Sequence, residues 1–242
     1  TPPDFLDIAP DAGSYVNSAV LQFTNPEKLS TASVKWERID GEEDKGSPHV
    51  IDVPDEYYVI GPQETSSIIT PNLINGSIYR LTLSGRDLAG NLAGVVYHNM
   101  HFDIEPPVLD IIYPTEQPEV NNTDVGYELS EQLGNATFTY TWLSGPEDTG
   151  SPHIINLDQR SLLEGTTNRY SLSPAPFLID GASYKIEFSG NDRAGNIGNV
   201  VIRESVLYDI TKPIITMMIP EPDKVIIGQE ISYSISENLE EG

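Results

Sequence analysis

The residues of this sequence whose types and spacing could bind a cation are side chains that carry oxygen atoms. Two D-x-A-G-N segments, at 87–91 and 192–196, place an aspartate four residues before an asparagine. Other carboxylates follow apolar runs or precede prolines, and the full candidate ligand set is Asp87, Asn91, Asp103, Glu131, Asp192, Asn196, Asp209 and Glu237. Calcium takes about six to eight oxygen ligands in irregular geometry, whereas zinc prefers nitrogen and sulfur. The sequence has no cysteine, so a cation site built from these residues favours calcium.

The same residues also fit a simpler role in turns. Asp and Asn side chains bond local backbone amides, and Gly-Asn supplies the left-handed conformations of a tight hairpin. In this interpretation Glu131 and Glu237 are solvated loop carboxylates, and Asp103 and Asp209 are extended residues ahead of prolines. Turn chemistry and a calcium site stand as alternatives.

Internal repeats indicate which elements carry these side chains. The string LTLSGRDLAGN at 81–91 returns as IEFSGNDRAGN at 186–196, and TPPDFLDIAP from residue 1 has counterparts from residues 105 and 211. We expect repeats at 1–103 and 104–209 and the incomplete start of a third at 210–242. Two strands cannot close a core, so we expect the natural protein to extend past Gly242, and also before Thr1.

Within a repeat the apolar residues recur with a period of two. Phe138, Tyr140 and Trp142 alternate with threonines, and the proline and glycine residues, nineteen of each, fall mainly between such runs. This pattern predicts strands with one buried face and almost no helix. The fold class is therefore all-β: tandem immunoglobulin-like, fibronectin III-like β-sandwiches, two complete plus the first strands of a third.

Three sequence signatures resemble the bacterial Ig-like repeats of large adhesins and other cell-surface proteins. They are the D-x-A-G-N segments, the LSE segment at 129–131 and the D-x-x-x-P junctions at 103–107 and 209–213. The resemblance covers nearly the whole chain and implies an extracellular stalk or adhesive array. The first repeat departs from it, because TNPEK at 24–28 stands where the second has SEQ, and the resemblance therefore does not imply a carboxylate there.

An Ig-like sandwich dictates where the candidate ligands lie. Its first strand starts at the pole facing the preceding domain, where the second-to-third and sixth-to-seventh strand loops also cluster. Asp103 should then meet Glu131 and Asp192 at the top of the second repeat, with Asn196 in reach. Asp209 and Glu237 should form part of the same site at the next junction.

Other candidates have structural interpretations. His49 and His153 recur in GSPH motifs a full repeat apart, so they cannot share one site and are expected in turns or packing. Trp36 and Trp142 are expected in the cores. Tyr79 and Tyr184, which are also expected in the core or at a corner, should bond backbone groups through their hydroxyls.

Charge and composition exclude several functions. Thirteen basic and thirty-seven acidic residues give a net charge of −24, which repels nucleic acid and anionic lipid. No apolar run reaches the roughly 20 residues of a membrane-spanning helix, and no phosphate loop, nucleophile elbow or metalloprotease motif is present. We expect no enzyme, no nucleic-acid partner and no membrane insertion in this segment.

Three functions remain as hypotheses. The first is a structural and adhesive stalk at the cell surface, stiffened by calcium at the junctions, whose partners are neighbouring repeats, further copies of itself or a surface target. The second is a module that binds glycan or protein through loops at one pole of the sandwich, for which Tyr57 and Tyr58 are the most favourable feature. The third is an accessory spacer of a secreted enzyme.

Overall fold

Two β-sandwiches follow one another along the chain, and two further strands come after them. The computed structural model describes residues 2–65, 71–116, 118–219, 228 and 231–237. The predicted all-β architecture is confirmed: in the described part of the chain the only helical turns are two short 3-10 turns, Asp55–Tyr58 and Gln159–Leu162. Thr1 and residues 66–70, 117, 220–227, 229–230 and 238–242, which belong to the predicted repeats, lie outside the described residues.

The first sandwich comprises eight strands. They are β1 (Leu6–Ala9), β2 (Tyr15–Val16), β3 (Gln22–Asn25), β4 (Leu29–Gly41), β5 (His49–Asp52), β6 (Gly61–Glu64), β7 (Ser77–Asp87) and β8 (Leu92–Phe102). One sheet has the order β1-β3-β6 and the other β2-β8-β7-β4-β5. The short strand β2 runs parallel to β8, whereas the other pairings are antiparallel.

The second sandwich repeats this topology strand for strand. Its strands are β9 (Leu109–Tyr113), β10 (Glu119–Val120), β11 (Asp124–Leu129), β12 (Leu133–Ser144), β13 (His153–Asn156), β14 (Gly165–Ser171), β15 (Ala182–Asp192) and β16 (Val201–Tyr208). The sheets have the orders β14-β11-β9 and β10-β16-β15-β12-β13. The arrangement of three strands against a sheet of five is that of a fibronectin III-like sandwich.

Alternating side chains build a separate core in each sandwich. On β15, Tyr184, Ile186 and Phe188 are buried while Lys185 and Glu187 point outward, as the period-two pattern predicts. The first core lies within residues 5–102 and the second within 109–206. Burial of these apolar faces is the main stabilising term of each unit.

The two remaining strands, β17 (Ile215–Ile219) and β18 (Ser232–Ile235), pair antiparallel. They correspond to β1 with β3 and to β9 with β11. Apolar side chains that are covered in those pairs, such as Ile215 at the position of Leu109, are exposed here. No helix in the described ranges has the length and apolar character needed to cross a membrane.

Candidate metal centre

Three carboxylates meet where the first sandwich passes into the second. Asp103 directly follows β8, Glu131 lies in the three-residue loop between β11 and β12, and Asp192 ends β15. One carboxylate oxygen from each lies within 4.8 Å of the other two. Ligands placed about 2.4 Å from a calcium ion are separated by up to about 5 Å, so this spacing matches the dimensions of a calcium coordination shell.

A serine fixes the loop that carries Glu131. The Ser130 hydroxyl accepts a 2.8 Å hydrogen bond from the Val108 amide, and the Ser130 amide donates to the Val108 carbonyl at 3.0 Å. The loop is thereby tied to the chain that has just crossed from the first sandwich. Glu131 is consequently held at the junction although its loop is only three residues long.

Asp192 is held by its own D-x-A-G-N turn. Its carboxylate accepts hydrogen bonds from the Asn196 amide at 2.8 Å and from the Asn196 Nδ2 at 2.7 Å. Asn196 Nδ2 also donates to the Asp103 carbonyl at 2.9 Å, which ties the turn to the end of the first sandwich. Asn196 therefore bridges two candidate ligands, and its Oδ1 accepts from Asn17 at 3.2 Å.

Burial and like charge destabilise the ionised form of Glu131. Burial, followed by repulsion from Asp103, Asp192 and two further carboxylates, raises the Glu131 pKa from 4.5 to about 7. Asp192 itself is 1% exposed. Three carboxylates in such an arrangement need either a proton or a cation to offset their repulsion.

The second junction reproduces part of this arrangement. Asp209 and Glu237 line one cleft of about 360 Å³ together with Asp180 and Lys212. Ser236 holds the loop as Ser130 does, since its hydroxyl accepts from the Ile214 amide at 2.8 Å.

 Glu237 Oε1 is buried and has no hydrogen-bond partner among the described residues.

The remaining predicted ligands, Asp87 and Asn91, form a turn. Asp87 accepts hydrogen bonds from the Asn91 amide at 2.8 Å and from Asn91 Nδ2 at 2.6 Å. The Asn91 side-chain bond, together with local backbone amides, lowers the Asp87 pKa. The only group of three carboxylates close enough to share a metal, among the described residues, is the one at the first junction. For Asp87 and Asn91, turn chemistry is therefore the observed role.

One expectation about the first repeat needs correction. Glu27 stands two residues before the buried Leu29, as Glu131 stands two residues before the buried Leu133. The segment TNPEK therefore does place a carboxylate in the equivalent loop. Sequence comparison missed it because Pro26 stands where the second repeat has Ser130, so the Ser-Glu pair is absent from the first repeat.

Sequence reasoning also missed a buried network at the opposite pole of each sandwich. In the second, Asp148 accepts hydrogen bonds from the Tyr184 hydroxyl at 2.8 Å and the Gly150 amide at 2.9 Å, and lies 2.7 Å from His153 Nε2. Tyr184 also accepts from the Ile179 amide at 2.9 Å, so its predicted backbone partner is confirmed. The histidine thus has the expected packing role, and only the recurrence of D-x-G-S-P-H-like spacing could have pointed to the aspartate.

The first sandwich contains the same network. Asp44 accepts from the Tyr79 hydroxyl at 2.7 Å and lies 2.7 Å from His49 Nε2, and Tyr79 accepts from the Ile74 amide at 2.9 Å. Repetition of every bond in both sandwiches indicates a structural element of the fold.

Two aromatic expectations are modified by the structure. Trp36 is buried as predicted, but Trp142 is only partly buried and donates to the Pro146 carbonyl at 3.0 Å. Tyr57 and Tyr58 are partly buried and pack against the first core, because the 3-10 turn folds them inward. They therefore do not form the exposed aromatic cluster that a sugar-binding loop needs.

Comparison with known proteins does not assign the chain to a family. No family model matches the chain, and no curated protein matches it. Among solved structures, the crystal structure of chicken CNTN1 FN1-FN3 domains is similar with a TM-score of 0.39 and 12% identity. That similarity covers 85% of this chain and 69% of the other.

Proposed function

We propose that this chain is a structural and adhesive stalk segment of an extracellular, cell-surface protein, with calcium bound at the junction between its repeats. The observation that carries the proposal is the convergence of Asp103, Glu131 and Asp192 within 4.8 Å, from the end of one sandwich and two loops of the next. A cation at this point would contact both sandwiches. A ligand that binds only the docked arrangement stabilises it by mass action.

Several features of the junction support calcium. The ligands are oxygen atoms, and the backbone carbonyls and water near an exposed joint can complete a shell of about six to eight ligands. Burial and repulsion from neighbouring carboxylates raise the pKa of Glu131, and a divalent cation would offset that repulsion. At the second junction, Glu237 Oε1 is buried and has no hydrogen-bond partner among the described residues, so it too could serve as a ligand of a cation.

The stalk function, the cell-surface location and the absence of enzymatic activity rest on the resemblance to bacterial Ig-like repeats and on the repeated architecture. A net charge of −24 also suits a long exposed protein, because it keeps neighbouring copies apart. Partners are then neighbouring repeats and a surface target.

Thermal unfolding with calcium, with magnesium and with chelator tests the proposal. Asp192→Asn removes a candidate ligand, and Asp87→Asn removes the same residue from the matching turn of the first repeat, where no three carboxylates meet among the described residues. We expect calcium to raise the melting temperature of the wild type and of Asp87→Asn, and not that of Asp192→Asn. Equal responses in the two variants would contradict a junction site.

A further inference from the structure

A stack of three side chains joins the two sandwiches beside the carboxylates. The Arg193 guanidinium lies 3.9 Å from the centre of the Tyr15 ring, and that ring stacks on His101 with centroids 4.4 Å apart and planes inclined by 5°. Arg193 is the variable residue of the second D-x-A-G-N turn, and Tyr15 is the first residue of β2. Burial and the nearby Arg193 charge lower the His101 pKa.

The topological equivalents of these residues differ in chemistry. Leu88 occupies the variable position of the first D-x-A-G-N turn and is 69% exposed. Glu119 opens β10 and is exposed, and it pairs with Leu207 as Tyr15 pairs with His101. The first sandwich thus presents an apolar residue at the pole that faces away from the second, and the second presents a carboxylate at the pole from which the chain continues to β17.

We propose that the variable D-x-A-G-N residue and the first residue of the short parallel strand are a matched pair that selects which domain docks at each pole. The pair Arg193 and Tyr15 is a cation–π match. Leu88 then fits a β-sandwich domain that presents an apolar residue, and Glu119 fits one whose turn carries Lys or Arg. This inference rests on the proposed function as a tandem array.

The physical basis is that mismatched pairs are penalised. A guanidinium over a tyrosine ring is attracted by the negative face of the ring, whereas a carboxylate in the same place is repelled. Asn17, which bonds Asn196, holds the turn against the first sandwich so that the variable residue must meet β2. Discrimination between domains can therefore come from one side-chain pair.

Residual dipolar couplings measured in chelator test the pair without any contribution from a cation. In the wild type we expect one alignment tensor to fit both sandwiches. Arg193→Glu should abolish that common alignment, and Arg193→Glu with Tyr15→Lys should restore it. Arg193→Leu with Tyr15→Leu should also retain it, because it reproduces an apolar match.

A control separates pairing from net charge. Glu105→Lys adds positive charge to the same cleft, which Tyr15 and Glu105 both line, without occupying the position of Tyr15. Combined with Arg193→Glu it should not restore the common alignment. Restoration by Glu105→Lys, or failure of Tyr15→Lys to restore alignment while amide spectra show both sandwiches folded, would overturn the proposal. Loss of the calcium response alone would leave these results unchanged, so the two proposals fail separately.

Discussion

Removal of one hydroxyl from the buried network of the second sandwich should destabilise that sandwich strongly. Tyr184 is 1% exposed, and its hydroxyl both donates to Asp148 and accepts from the Ile179 amide. Tyr184→Phe leaves the ring in place but removes both bonds. A hydrogen bond to a charged group is worth about 1.5 to 3 kcal/mol, and an unsatisfied buried amide costs about 1 to 3 kcal/mol.

We therefore expect Tyr184→Phe to lower the free energy of unfolding of the second sandwich by about 3 kcal/mol. Urea unfolding followed by tryptophan fluorescence measures it, since the chain has two tryptophans and each sandwich contains one, Trp36 or Trp142. Recording the experiment in a Trp36→Phe background isolates the second sandwich. Tyr170→Phe is the control, because the Tyr170 hydroxyl is 3.3 Å from Asp158 at an exposed position.

The pH dependence provides an internal check. Burial alone would raise the Asp148 pKa, but hydrogen bonds from His153, Tyr184 and the Gly150 amide outweigh it and lower that pKa below 3.8. A carboxyl group whose pKa is lowered by folding stabilises the fold at pH values above its pKa in the unfolded state. This stabilisation is lost as the pH falls through the pKa of the group in the folded state. The difference between wild type and Tyr184→Phe should therefore shrink in acid. A difference below about 1 kcal/mol at neutral pH would refute the reasoning.

Three further outcomes follow from packing and charge. Phe138→Ala should cost about 4 kcal/mol in urea unfolding, because Phe138 is fully buried and stacks on Phe188 at 4.4 Å. Gly126→Ala should destabilise the same sandwich by about 2 kcal/mol, because its Cβ would lie 2.4 Å from the Asn168 carbonyl oxygen. Glu131→Gln in chelator should add about 1 kcal/mol of stability above pH 7, a gain that disappears towards pH 4.5 because the raised pKa penalises only the ionised form.

The fold was largely predictable because its determinants are local and repeated. Alternation on β15 and the recurrence of whole strings predict strands and repeats without knowledge of contacts. The meeting of Glu131 with Asp192 was predictable as well, since sandwich topology brings those two loops to one pole. The internal repeat supplied a second copy of each motif for comparison, which a single domain would not have offered.

Long-range side-chain geometry was not predictable in the same way. The contact of Arg193 with Tyr15 joins residues in different sandwiches and depends on how the two units are oriented. The bond between Tyr184 and Asp148 depends on a corner that folds the chain back on itself. Trp142 follows the alternating pattern but lies at the end of its strand, where the core no longer covers it.

The most direct test of the cation site is a calcium titration of the nitrogen-15-labelled chain, followed amide by amide. We predict saturable shifts confined to residues 103–105, 130–132 and 191–196, which Asp192→Asn abolishes and Asp87→Asn retains. Shifts scattered over the acidic surface without saturation, or no shifts at these amides, would contradict a calcium-bound junction.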